Sequence, residues 1–396
     1  RTFRDLFFAG FITSTARWFE VLVFSVIAWQ QTGNASAVGF LMTCRLISVG
    51  AAGIFFSAYG SFFSGRNIML TITFSTLISC LVVLPAFYFN LKIDLICLGI
   101  VSSVSGMLWS VDFSFRRRML ADSLPKDLIF TGVSIDVLST HATRLLGPFL
   151  GGVFLAIFIS EYSLIFLSFL YFLSALLLFP HKDRSTKDNQ NKSTFELFSE
   201  VVKETSKKYP LLIVLLLTPL FNIFALPFLS LIGVLLIEKF NTSNFETGIF
   251  TSLEGLGALL GGLIIAAFPP RNKSSLFCLM LFSLLCSIIL SSLSNNIVFF
   301  IIFIFVAGIT TSCYSALQSA IIYNHSTPRL RSSTFSLLTI AIGTGAIGTL
   351  NVSWMTNLFN TEKISLIMGV EGLFFVSILL IILIYKNYLG NYKNIT

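Results

Sequence analysis

"HKDRSTKDNQNKSTFELFSEVVKETSKKYP" (residues 181–210) is the only long polar stretch in a chain of 396 residues. Its flanks are apolar: 55% of the chain is hydrophobic, only 11% is charged, and the mean hydropathy is +0.88. Soluble domains carry about a quarter charged residues. A globule facing water on all sides has nowhere to put so much apolar surface. The apolar runs last about twenty residues, which suits helices crossing a bilayer rather than barrel strands. Working outward from the polar stretch gives six runs before it, at 6–30, 38–60, 68–89, 94–115, 129–159 and 161–179. Six more follow it, at 210–237, 246–268, 274–292, 296–322, 332–357 and 364–385.

This pattern predicts an all-α integral membrane protein of twelve transmembrane helices in two six-helix bundles. Residues 1–180 form the first bundle, 181–209 a linker and 210–396 the second. In the linker, Phe195, Phe198 and Val202 recur at helical spacing, which predicts a short amphipathic helix lying along the membrane surface.

The basic residues set the orientation. When the loops are numbered alternately, one set holds only Lys92, Lys239 and Lys363. Arg17, Arg45 and Arg144 lie inside spans, and the remaining 20 of the 26 Lys and Arg fall in the other set. The positive-inside rule then predicts both termini and the linker to be cytoplasmic, in a bacterial inner membrane. The pI near 9.2 is thereby read as orienting charge, with no nucleic-acid partner. All six cysteines lie inside apolar runs without a C-x-x-C pair, and the three histidines are scattered, so neither disulfide nor metal is expected. No phosphate-binding G-x-x-x-x-G-K-[ST] and no Ser/His/Asp arrangement occurs. The chain is therefore expected to be no enzyme, to hold no cofactor and to use no ATP.

The two halves resemble each other weakly. "FRRRMLADSLPKDLIFTGVS" after the fourth run and "IIYNHSTPRLRSSTFSL" after the tenth are basic links with a proline ahead of the next run. That next run carries Gly147, Gly151 and Gly152 in one half and Gly343, Gly345 and Gly348 in the other. Internal duplication with a binding site between the repeats is a common plan of secondary transporters.

With these residues in view, the chain resembles the major facilitator superfamily. "GPFLGG" (147–152) in the fifth run matches the Gly-Pro-x-x-Gly-Gly antiporter motif of drug and metabolite exporters. "ARWFEVLVFSVIAWQQTGNASAVGF" (16–40) and "RRRMLADSLPKDLIFTGVS" (116–134) resemble the branch of enterobactin exporters and macrolide efflux pumps. The resemblance implies alternating access, with Gly147, Pro148, Gly151, Gly152 and Arg66 as gating residues. It also implies efflux of a small organic metabolite or drug, a siderophore first, coupled to protons by a monomer in the lipid bilayer. One departure stands out: in "SAYGSFFSGRNIML" (57–70) Ser61 replaces the family's aspartate, and only Arg66 keeps the basic end, which implies a weaker or rewired cytoplasmic latch. A lipid or lysophospholipid translocator of the same fold and a non-transporting receptor or scaffold are the alternatives.

Ionisable residues at membrane depth are costly unless paired or hydrated. Arg17, Glu20, Arg45, Asp136, Arg144 and Glu254 are such residues, and so are His141, Glu371 and, near a span end, Asp112. Static ion pairs are the plain reading: Arg17 with Glu20, and Arg144 with Asp136 or Glu20. The functional reading makes one carboxylate a proton carrier, Glu20 first and Asp136 next. Trp18, Trp109, Phe221, Asn222, Gln318 and Trp354 are expected to line a mostly apolar cavity.

Overall fold

The structure is a computed structural model, which describes residues 2–59, 64–88, 95–125, 128–158, 160–180, 202–327 and 331–385. All of its regular elements are helical. Before the linker come α1 (Thr2–Thr32), α2 (Ala35–Tyr59), α3 (Gly65–Tyr88) and α4 (Leu95–Val111). A π-helical turn (Asp112–Arg116) carries α4 into α5 (Arg117–Asp122), and α6 (Ile129–Ile157) and α7 (Ser160–Leu178) follow. After the linker, α8 (Tyr209–Leu220) runs through a second π-helical turn (Phe221–Ala225) into α9 (Leu226–Phe240). Then come α10 (Asn244–Ala267), α11 (Lys273–Leu293), α12 (Ile297–His325), α13 (Arg331–Gly343), α14 (Gly345–Met355) and α15 (Thr361–Tyr385).

Among the described residues, ten helical stretches are long and apolar enough to cross a membrane, and Tyr162–Leu178 is a shorter apolar helix. α6 adds a helix of 29 residues, and among the described residues six helical stretches, the first set, precede residues 181–201 and six, the second set, follow them. Their ends agree with the sequence pattern to within a few residues, except that the eleventh run breaks at Thr344 between α13 and α14. Residues 181–201 lie outside the described residues, and with them most of the expected amphipathic helix. Residues 202–207 are helical. Glu204 there accepts from Lys208 Nζ at 2.7 Å and from the Thr327 hydroxyl at 3.1 Å, tying the start of the second set to the end of α12. Burial pushes the Glu204 carboxyl up, and these donors, the Thr327 N–H and the Lys208 charge together outweigh it and hold the group below the usual range.

Close approach of helices in lipid needs small residues, because there is no hydrophobic force to press them together. Here α6 packs along α10, and α2 along α13 and α14, so each set sends a helix across to the other. At both crossings glycine meets glycine. A Cβ on Gly152 would lie 2.5 Å from Gly248 Cα, and one on Gly343 would lie 2.8 Å from Gly50 Cα. The two glycine-bearing runs noticed as repeats are thus the two helices that cross. At the end of the bundle carrying Thr32, further ties join the sets: Trp29 Nε1 donates to Glu238 at 2.8 Å and Gln30 to Asn244 at 3.2 Å.

Candidate functional site

A charged side chain taken out of water must recover its solvation from partners. Among the described residues, the charges buried within the spans do so in three separate groups, apart from Asp5 near the start of α1, which Arg4 meets at 3.2 Å. The first is internal to the first helix set. Arg45 on α2 donates to Glu20 on α1, and the Tyr171 hydroxyl on α7 donates to the other Glu20 oxygen at 3.1 Å. Glu20 is 0% exposed and Arg45 2%.

The second group is a row. Arg116 bonds Asp112 through Nε at 2.5 Å and Asp136 through Nη1 at 2.7 Å. Arg17 lies beyond Asp112 at 3.8 Å, and Arg117 beyond Asp136 at 3.4 Å. The π-helical turn brings Asp112 and Arg116 onto one face of the fourth span, as such bulges often do at working sites.

The third group bridges the two sets. Arg144 on α6 donates to Glu254 on α10, and its guanidinium lies 5.0 Å over the Trp18 ring of α1. The sequence around Glu254, "LEGLGALLGG", explains the approach. Gly255 faces the backbone of Arg144 and Leu145, while Gly257 and Gly261 face α12, so α10 is smooth on both sides. One turn of α6 further on, Pro148 joins Trp18, Ser25, Ser230, Thr251 and the ion pair in lining a narrow cavity between the sets. Its void of about 20 Å³ has room for roughly one water. Arg144 Nε, Ser230 Oγ and Thr251 Oγ1 are buried without a hydrogen-bond partner. Buried polar groups are rarely left so, and three around one cavity mark a place for a polar guest.

Several expectations need correction. Arg17 reaches Asp112 rather than Glu20, and Arg144 reaches Glu254 rather than Asp136 or Glu20, because the rotation of each helix points these groups at other neighbours. Arg116, counted among the loop charges, is buried in the first set at 2% exposure. Trp354 is 64% exposed and is absent from the cavity wall. Phe221 is stacked on Tyr314 at 4.7 Å, with Phe277 on the ring's other neighbour position at 4.3 Å, inside the second set. Asn222 donates to its own helix at Thr218 O, 2.8 Å, and Gln318 to Thr218 Oγ1, 2.7 Å. Trp109 is half-buried under Arg17. Arg66 donates to the Phe179 carbonyl and stays within the first set. Ser61 lies outside the described residues.

Among the glycines of the fifth run, Gly147 meets the backbone of Phe19, Gly151 meets Leu22 and Val23, and Gly152 crosses to Gly248. Only the last serves contact between the sets. Sequence reasoning passed over Tyr171, Arg117 and the glycines beside Glu254. It noticed His141 without a role: the His141 Nε2 lies 3.1 Å from Ser312 Oγ across the sets.

The chain matches the sequence family described as Major Facilitator Superfamily over residues 6–266. It is 20% identical over 367 residues to the staphyloferrin A transporter of Staphylococcus aureus (strain NCTC 8325 / PS 47), covering 92% of each chain. Among solved structures it is similar to a POT family transporter in complex with 5-aminolevulinic acid, with a TM-score of 0.74 at 12% identity over 97% of this chain and 96% of that one. It is also similar to a D-xylose–proton symporter, with a TM-score of 0.68 at 13% identity over 94% of this chain and 96% of that one. At such identities these structures speak for the fold alone.

Proposed function

The chain belongs to the Major Facilitator Superfamily, and we propose that it is a proton-coupled secondary transporter whose coupling element is the Arg144–Glu254 pair. The observation that carries this reading is that this pair, alone of the three charge groups, joins the two helix sets and lines the cavity between them. Alternating access separates and rejoins the sets. A carboxylate shared across that seam is the group whose environment changes most in the cycle. While Glu254 is ionised, Arg144 holds it and the seam is closed. Protonation of Glu254 removes the charge attraction and frees the Arg144 guanidinium to hold a polar group of the substrate, with Ser230 and Thr251 beside it. Release of the substrate returns Arg144 to Glu254 and expels the proton, so the two ligands alternate on one arginine.

For the substrate, similarity to a staphyloferrin A transporter supports a siderophore, and the efflux-type "GPFLGG" supports export. In proteoliposomes, Glu254→Gln is expected to abolish pH-gradient-driven movement of staphyloferrin A while substrate exchange at equal pH persists. Gradient-driven transport at the wild-type rate in Glu254→Gln would remove the pair from coupling and return attention to Glu20. Failure of the wild type to move staphyloferrin A would reject the siderophore alone.

The basic residues place both termini and residues 181–209 in the cytoplasm of a bacterial inner membrane in this reading. Ser193→Cys is expected to resist an impermeant thiol reagent in intact cells and to react after lysis. Reaction before lysis would invert the orientation.

A further inference from the structure

A hydroxyl inside a membrane helix commonly donates to a carbonyl one turn back in its own helix, since lipid offers no other acceptor. Ser25 does so at Val21 O, 2.6 Å, and Ser252 at Ile249 O, 2.6 Å. Ser230 on α9 and Thr251 on α10 do not: among the described residues their buried oxygens have no hydrogen-bond partner. Arg144 on α6 shares this condition at one atom. Its Nη2 is spent on Glu254, whereas Nε is a different donor and has no acceptor.

These three residues come from both helix sets, and all three line the narrow cavity beside the ion pair. Its void of about 20 Å³ exceeds the ~10–15 Å³ that one water needs. While the sets are closed it is far too small for an organic ligand, whose pockets measure about 300 Å³ or more. The Trp18 ring, also in the wall, lies 5.0 Å from the Arg144 guanidinium and holds it in place. Buried water settles where about three polar groups without other partners converge, and an apolar void of this size stays dry.

We infer that this cavity is a binding site for one ordered water, which accepts from Arg144 Nε and exchanges hydrogen bonds with Ser230 and Thr251. The water ties α6, α9 and α10 together at the level of the ion pair. It also gives Arg144 a neutral partner beside its charged one, so the guanidinium keeps an acceptor when Glu254 lets go. A well-held water is replaced without loss of affinity only by a group that reproduces its hydrogen bonds. The substrate atom that takes its place is therefore an oxygen that accepts from Arg144, and an ammonium is excluded by the guanidinium charge. This displacement rests on the transporter reading; the water itself does not.

The test turns on a sign, read as the thermal midpoint of the purified protein in detergent without substrate. Valine has the shape of threonine without the hydroxyl. With the water in place, Thr251→Val removes one of its partners and is expected to lower the midpoint, by on the order of 2 °C. In a dry cavity the same change removes an unpaired buried hydroxyl and raises the midpoint. Ser230→Ala is expected to act in the same direction. The double variant is expected to lose less than the sum of the two, because either change alone already loosens the shared water. A rise with either single variant, or strict additivity, would overturn the water, and if the double variant fails to fold the signs of the single variants decide. A midpoint that drops when gluconate replaces chloride in the wild type, and no longer drops in Thr251→Val, would put an anion in the site and overturn the water as well. In proteoliposomes both single variants are expected to raise the KM for staphyloferrin A about tenfold. An unchanged KM would overturn the displacement and leave the water standing. A wild type that moves no staphyloferrin A would count against that substrate, while the thermal shifts still decide the water.

Discussion

Gly152→Leu is expected to leave a protein that inserts and folds but whose helix sets no longer close at the Thr32 end. The reason lies in what surrounds the glycine. A Cβ there would meet the backbone of the facing helix, Gly248 Cα at 2.5 Å, Gly248 N at 3.1 Å and Asn244 O at 3.2 Å. Backbone inside a helix cannot step aside as a side-chain tip can, so α6 and α10 must part. Overpacking of this kind costs about 1–3 kcal/mol. Applied to one conformation only, that energy shifts the balance between open and closed forms about 5- to 150-fold. Gly151→Leu is expected to do less, since its neighbours are the tips of Leu22 and Val23 at 3.3 Å within the same set. Ser25→Cys, in the cavity wall, reports the change. Its rate of reaction with a small maleimide should rise at least about fivefold with Gly152→Leu, counted above the six native thiols. An unchanged rate together with full transport would show that "GPFLGG" is packing and not a gate.

Glu20→Ala is expected to be the most damaging single substitution for stability. Among the described residues Glu20 is the only carboxylate bonded to Arg45, whose Nε and Nη1 already lack partners. Removing it strands a guanidinium at 2% exposure. Breaking a buried pair this way costs about 3–5 kcal/mol, whereas replacing both partners by apolar groups of like volume is often neutral. The double variant Glu20→Leu/Arg45→Met is therefore expected to regain most of the thermal stability that Glu20→Ala loses. The same pair of variants separates packing from proton carriage. If the double variant is stable and still transports against a gradient, the Glu20 pair is structural. If it is stable and transports only down a gradient, Glu20 carries the proton and Glu254 does not. Equal stability of Glu20→Ala and wild type would contradict the burial argument.

How much of this was legible beforehand differs from residue to residue. The span pattern and the glycines of the fifth and eleventh runs are written in the chain itself. Hydrophobic length and small-residue spacing act within a single helix and need no knowledge of its neighbours. The glycines of the fifth run could be picked out in this way, but Gly152 could not be told from Gly147 and Gly151 until the contacts of each were known. The buried charges could be listed for the same reason, since a charge inside an apolar run is conspicuous wherever the run goes.

Their partners could not be found by the same means. Arg17 and Glu20 are three residues apart and looked like a pair, yet Arg17 extends toward α4 and Glu20 toward α2 and α7. The Arg144–Glu254 bridge joins residues 110 apart in sequence, and Arg117 became visible only when the π-helical turn laid Phe113 beneath it. Composition and periodicity thus determined by themselves that this is a polytopic helical membrane protein, because the cost of exposing a backbone or a charge to lipid is paid residue by residue. Which charges meet, and so which carboxylate can couple the halves, was decided by the tertiary structure alone. That choice depends on how far each helix is rotated about its axis and on which helix lies beside it, and both are settled by packing between segments far apart in the chain.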